Sequence, residues 1–236
     1  AYKRAELSVA SQASEQPLAR APAAETGQQV DVGFSTWLSE HYAALHNQPP
    51  DPPVMVHHVP RFLTRIVDDA AESRVALLVV DGLSLPEWII LRDCMKRRSS
   101  SLRVDERGVF AWIPTLTCVS RQALFAGKAP LYFPDSISTT SKDELRWKQF
   151  WQGHGLNEAQ VCLVGGGDTD KLTRIRDAAD DSRIRALGIV ISTVDEIMHG
   201  MRLGMSGMFA QIAQWADQGL VHDTTVCLLN AGFRVF

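Results

Sequence analysis

Three short stretches carry residue types that could do chemistry together. Asp81 closes the aliphatic run VALLVVDG, Thr115, Thr117 and Ser120 cluster in IPTLTCVSRQALFAG, and Asp195 and His199 stand four apart in VDEIMHG. Carboxylate, hydroxyl and imidazole are the donors of a hard-to-borderline divalent ion such as zinc or manganese. Coordination of that kind lowers the pKa of a hydroxyl, making it a nucleophile at neutral pH, and neutralises charge on a phosphoryl or sulfuryl oxygen. The spacing alone also fits a plainer account, in which Asp81 caps a helix and Asp195 and His199 form a local pair on one helical face.

The elements around these residues decide whether they can meet. Val75–Val80 is apolar without alternation, as expected of a strand buried on both faces of a parallel sheet, and Leu187–Ser192 repeats the pattern ahead of Asp195. Further strands are expected at Val109–Ile113, Val161–Val164 and Thr224–Leu229, with helices over Phe34–Leu45, Val59–Ala71, Pro86–Arg98, Arg121–Ala126, Lys142–Trp151, Thr169–Asp181 and Gly204–Gly219. Ser35 or Thr36 suits the first cap, Pro86 a first helical turn, Ser120 the N-cap before Arg121, and Gly127 the stop. This alternation predicts an α/β fold with a largely parallel sheet flanked by helices, in which loops after the strands converge at one edge.

Composition sets outer bounds. The chain has 236 residues, 45% of them hydrophobic, enough for a sizeable core. A formal net charge of −3 gives no global reason to expect nucleic acid or an acidic membrane surface as partner. Four cysteines, at 94, 118, 162 and 227, form no CxxC pair and read as reduced, buried thiols of a cytoplasmic protein. No apolar run reaches the roughly 20 residues of a membrane span, so no membrane partner is expected. Residues 1–30, rich in Ala, Gln, Ser, Glu and Pro, read as a linker or disordered arm. Beginning at Ala1 and stopping at Phe236, the sequence reads as a piece of a longer protein. His57 and His58, adjacent on an extended segment, would point apart and so not share a metal, and Lys96–Arg98 reads as a solvated helix end. Gly165–Gly167 lacks the spacing of a phosphate-binding loop, leaving a nucleotide-binding domain as a weaker alternative.

Taken together, VVDG, IPTLTCVSRQALFAG and VDEIMHG resemble the PglZ domain of the bacterial phage-defence systems called BREX, a member of the alkaline phosphatase superfamily. The resemblance runs from about Trp37 to the last predicted strand and implies an alkaline-phosphatase-like domain over 31–236. It implies Thr117 as nucleophile, Asp81 and Thr117 on one divalent metal, Asp195 and His199 on another, zinc being expected at both, and Arg121 as a group able to reach a phosphate oxygen. Other defence-system proteins and nucleic acid are the implied partners. Asn230, Ala231 and Gly232 would then fall where the superfamily keeps an Asp-His-Gly motif, so the domain would lack ligands at its C-terminal end. Two readings follow: a metal-dependent phosphohydrolase acting on phosphate mono- or diesters, or a catalytically incomplete interaction or regulatory subunit of a defence complex.

Overall fold

A computed structural model describes residues 20–167, 170–200 and 204–236. Its centre is a four-stranded sheet in the order β2-β3-β1-β4, where β1 is Arg74–Val80, β2 Val161–Val164, β3 Ala186–Ile191 and β4 Phe233–Val235. Every pairing is parallel, with Val75 opposite Ala186 and Val80 opposite Ile191 across β1 and β3. The α/β prediction therefore holds, with one strand misplaced and another absent, as described below.

Parallel strands need apolar residues on both faces, and β3 is buried at all six positions. Val75 and Leu77 face one helical layer, and Ala76 and Leu78 face the other. The first layer contains α2 (Val59–Asp69), α4 (Thr117–Ala126) and α5 (Asp143–Gln152), which contribute Leu63, Ile66, Phe125, Trp147 and Trp151. The second contains α3 (Leu85–Arg98), α6 (Lys171–Asp180), α8 (Gly204–Gln218) and α9 (Leu220–Asn230), which contribute Leu91, Ile175, Ile212 and Leu228. Gly188 is a packing glycine: a Cβ there would lie 3.2 Å from Leu163 Cδ1 and 3.3 Å from the Trp147 ring, whose Nε1 donates to Cys162 O at 3.0 Å.

Several boundaries differ from expectation for physical reasons. The helix predicted from Phe34 begins at Arg20 and runs to Leu45 as α1, so the part of the expected arm from residue 20 onward is helical, while residues 1–19 lie outside the described residues. Ser35 and Thr36 fall inside it, and Thr36 Oγ1 donates to Val32 O at 3.1 Å in place of capping. Thr224–Leu229 is not a strand but the body of α9. Its β-branched run is overridden by packing, with Thr225 Oγ1 donating to Val221 O at 2.8 Å within the helix. Val109–Ile113 is extended but outside the sheet, pairing only through the Met55–Phe110 bridge. The Tyr42 hydroxyl holds it by donating to Ala111 O at 2.7 Å and accepting from the Ile113 N–H at 2.9 Å. Pro86 does sit in the first turn of α3, where the Ser84 N–H donates to Glu87 Oε2 at 2.6 Å. Thr169 and its neighbour Asp168 lie outside the described residues, and the predicted helix starts at Lys171.

Two arginines fasten the amino edge of the sheet. Arg74 donates to the carbonyls of Ile184, Ala231, Ala179 and Asp181 at 2.8–2.9 Å and lies 4.0 Å over the Phe233 ring. Arg185 donates to Val67 O at 2.7 Å and Ala70 O at 2.9 Å. Cationic side chains thus close the carbonyl ends of α2, α6 and α9, where the helix dipoles favour positive charge. Their amino ends point the other way.

Candidate active site

At the carboxyl edge, Asp81 follows β1 directly, and its N–H donates to Ile191 O at 2.9 Å, tying it to the end of β3. Ser192 alone separates β3 from α7 (Thr193–Gly200), which carries Asp195 and His199. Gly82 has φ +74, and a Cβ on it would lie 3.0 Å from Asp195 Cα and 3.2 Å from Asp195 Cβ and N. The turn after β1 is therefore seated against the first turn of α7, and only glycine combines that backbone angle with that approach. His199 Nε2 lies 3.6 Å from Asp195 Oδ1, as the i,i+4 spacing predicts, with the imidazole 82% exposed and the carboxylate 30%.

Thr117 belongs to a helix joined to this edge by another route. It is the first residue of α4, not part of a loop before it: Leu116 occupies the N-cap position, and Ser120, expected as the cap, lies inside the helix with its N–H donating to Leu116 O at 2.9 Å. Gly127 ends the helix at φ +59, as predicted. Thr117 and Arg121 are one turn apart on one face, roughly 6 Å along the axis. From that face Arg121 Nη1 donates to Asp81 Oδ2 at 3.1 Å, so the helix that begins with Thr117 is joined to the strand that ends at Asp81.

Arg121 makes a second ion pair, to a residue the sequence did not single out. Its Nη2 lies 2.5 Å from Asp143 Oδ2, and the Asp143 side chain is only 4% exposed. Burial pushes the Asp143 carboxyl up to about 6, against the pull of Arg121 and with help from the charge on Asp81. Nothing in the sequence distinguishes Asp143 from an ordinary acid in a helix's first turn; what buries it is the packing of α5 on α4. Gln122, fully buried, fixes the intervening loop by donating to Thr139 O at 2.7 Å and to Ser136 O, and by accepting from Ser136 Oγ at 2.7 Å.

The donor types at this edge suit a divalent ion: two carboxylates, a hydroxyl and an imidazole. Asp195 and His199 present themselves as a pair, whereas Asp81 is turned to Arg121. Among the described residues no group of three or more His, Cys, Asp or Glu side chains is gathered for a metal. His57 and His58 are elsewhere, in a buried 3-10 turn (Val56–His58) beside α4 instead of on an extended segment, with ring centroids 4.2 Å apart. Burial and the neighbouring His58 and Arg61 charges lower His57 to about 4, so it is neutral. Arg97 and Arg98 pair with Asp217 and Asp223 at 3.3 and 3.9 Å.

The expectation for Asn230–Gly232 is corrected. Asn230 ends α9 and Gly232 leads into β4, which runs parallel to β1 from the level of Arg74 upward. The tripeptide lies at the amino edge, where Arg74 holds Ala231 O, and cannot be a counterpart of rim ligands. Even Phe236, whose O accepts from the Leu78 N–H at 2.8 Å, stands below the level of Asp81.

No helix among the described residues is long and apolar enough to cross a membrane. No curated protein matches the chain. Residues 60–232 match the family model of the BREX system PglZ alkaline phosphatase-like domain, a span containing Asp81, Thr117, Arg121, Asp195 and His199 in that order. With a parallel α/β core and most of its length within that match, this chain belongs to the PglZ family of alkaline phosphatase-like domains, and through it to the BREX phage-defence setting.

Proposed function

We propose that the domain is a metal-dependent phosphohydrolase of a cytoplasmic phage-defence complex, acting on phosphate mono- or diesters with Thr117 as nucleophile. The observation that carries this reading is the seating of Gly82 against Asp195, which sets the loops after two neighbouring strands side by side at the edge where Arg121 joins Asp81 to the Thr117 helix. Asp81 and Thr117 would hold one divalent ion and Asp195 and His199 another, with zinc the expected metal. A bound divalent ion would supply a lowered hydroxyl pKa and neutralisation of phosphoryl charge. Thr117 Oγ1, its proton passed to water, forms a bond to phosphorus in line with the departing ester oxygen, which leaves as the alcohol on taking a proton from water; a second water then bonds to phosphorus as the Oγ1–P bond breaks, its proton returns to Thr117, and phosphate or a monoester departs. The first-turn N–H groups of α4 favour the anionic group at Thr117. Nucleic acid is the diester that the defence setting favours, and other proteins of the system are the expected partners.

Thr117→Ala is expected to abolish metal-dependent hydrolysis of a nitrophenyl phosphate ester while leaving the circular dichroism spectrum and melting temperature of the complete protein unchanged. Undiminished turnover would exclude Thr117 as the nucleophile.

A second reading has its own observation. Asp81 is engaged by Arg121 and His199 is largely exposed, the arrangement of a phosphatase fold serving as an interaction or regulatory subunit. Metal content separates the two: less than one equivalent of zinc or manganese per chain, and no hydrolysis with either added, favours the scaffold.

A further inference from the structure

The group Asp81, Arg121 and Asp143 has an unbalanced charge. One guanidinium is shared by two carboxylates, all three side chains are at most 15% exposed, and the formal sum is −1. Buried charge without compensation is costly, so such a group favours uptake of a further cation. The two acids are not equivalent. Asp143 is at the closed end, 4% exposed, and its Oδ1 has no hydrogen-bond partner. Asp81 is at the open end, beside the Gly82 turn that touches Asp195. Arg121 Nε is likewise buried without a partner, so the guanidinium is not locked in its present pose by a full set of bonds.

We propose that Arg121 is an exchangeable counter-ion of Asp81, displaced by an arriving divalent cation and retained by Asp143, which acts as a positioning residue. This rests on the reading of Asp81 as a metal ligand. In the arrangement seen, Arg121 neutralises Asp81. When a cation takes over that carboxylate, the guanidinium keeps its Asp143 contact and remains one helical turn from Thr117. Asp143 thereby lowers the cost of the exchange, since without it the displaced guanidinium would have no carboxylate to hold it.

Manganese binding to the complete protein, measured by titration calorimetry at neutral pH, tests this without reliance on turnover. Arg121→Gln removes the competing cation and is expected to tighten binding about tenfold or more, because two like charges within several ångströms repel by kilocalories at protein dielectric. Asp143→Asn, which keeps the shape but leaves Arg121 to Asp81 alone, is expected to weaken binding about tenfold. In the double variant the Asp143→Asn effect should vanish, as Asp143 acts only through Arg121. The double variant also removes the carboxylate stranded by Arg121→Gln; if that single variant folds poorly, the double variant is compared with Asp143→Asn and should bind manganese more tightly than it, equal binding overturning the exchange. Asp81→Asn separates the two levels of the proposal. If the wild type binds no manganese, or Asp81→Asn leaves its binding unchanged, the metal reading fails and the exchange with it. If Asp81→Asn abolishes binding but Arg121→Gln does not tighten it, or Asp143→Asn weakens it equally in both backgrounds, the exchange alone is overturned.

Discussion

Replacing Gly82 by alanine tests the contact on which the site depends. Two penalties combine there. A β-carbon at φ +74 costs about 1 kcal/mol in backbone strain. The same carbon would sit 3.0 Å from Asp195 Cα and 3.2 Å from its N, and backbone cannot swing aside as the end of a long side chain can, so the two turns must separate at a further cost of roughly 1–3 kcal/mol. Gly155 provides the control, since it has φ +89 with nothing within 4 Å of where a Cβ would lie, and Gly155→Ala should show the strain alone. For a chain of this length each kcal/mol lowers the melting temperature by roughly 2–4 °C, so Gly82→Ala should melt about 4–16 °C below wild type and Gly155→Ala about 2–4 °C below. Differential scanning fluorimetry reads both. Calorimetry with manganese should show weakened binding in Gly82→Ala only, because Asp195 has been moved. Equal melting losses in the two variants, with binding unchanged in both, would refute the claim that the β1 and β3 turns are seated on each other.

Arg74→Met should leave four carbonyls without their donor and cost about 3 kcal/mol, seen as a drop of roughly 6–12 °C in melting temperature, while hydrolysis of a phosphate ester at room temperature stays unchanged. Gly188→Ala should cost about 1–3 kcal/mol by overpacking against Trp147 and Leu163, measured by urea denaturation. Acid acts in two directions. His57, depressed to about 4, contributes stability that is complete above pH 6.5 and lost as pH falls toward 4, whereas Asp143, raised to about 6, makes the folded state gain as pH falls from 6 toward its unfolded value of 3.8. Between pH 7 and pH 5 the loss is about 2 kcal/mol and the gain about 1 kcal/mol, so wild type should weaken slightly and His57→Gln should gain stability over that interval in urea melts.

Much of the site was legible because its residues are set by covalent order. A strand buried on both faces needs an unbroken aliphatic run, and the residue after it must stand at the sheet's carboxyl edge, so VALLVVDG fixes Asp81 and ALGIVIST fixes α7 with little freedom. The four-residue spacing of Asp195 and His199 carried directly into a side-chain pair. Asp143 was not legible because its importance comes from burial by a helix that meets α4 only in three dimensions. Thr224–Leu229 misled because TTVCLL has the composition of a strand, whereas it folds as a helix that turns Cys227 and Leu228 to the core and leaves Leu229 exposed. That error displaced the real last strand by about nine residues and moved Asn230–Gly232 to the wrong pole. Only the ladder itself corrects it, with Arg74 opposite Phe233.

The Arg74 and Arg185 clusters divide the molecule into two poles of unequal tolerance. Helix ends, the entries to β1 and β3 and the approach to β4 are lashed down on the side away from Asp81, so this part of the cohesion does not draw on the side chains that would handle a substrate. Substitution at the opposite pole can then alter what is bound there while the scaffold persists, whereas a change at either arginine should be felt throughout the fold whatever the protein acts upon.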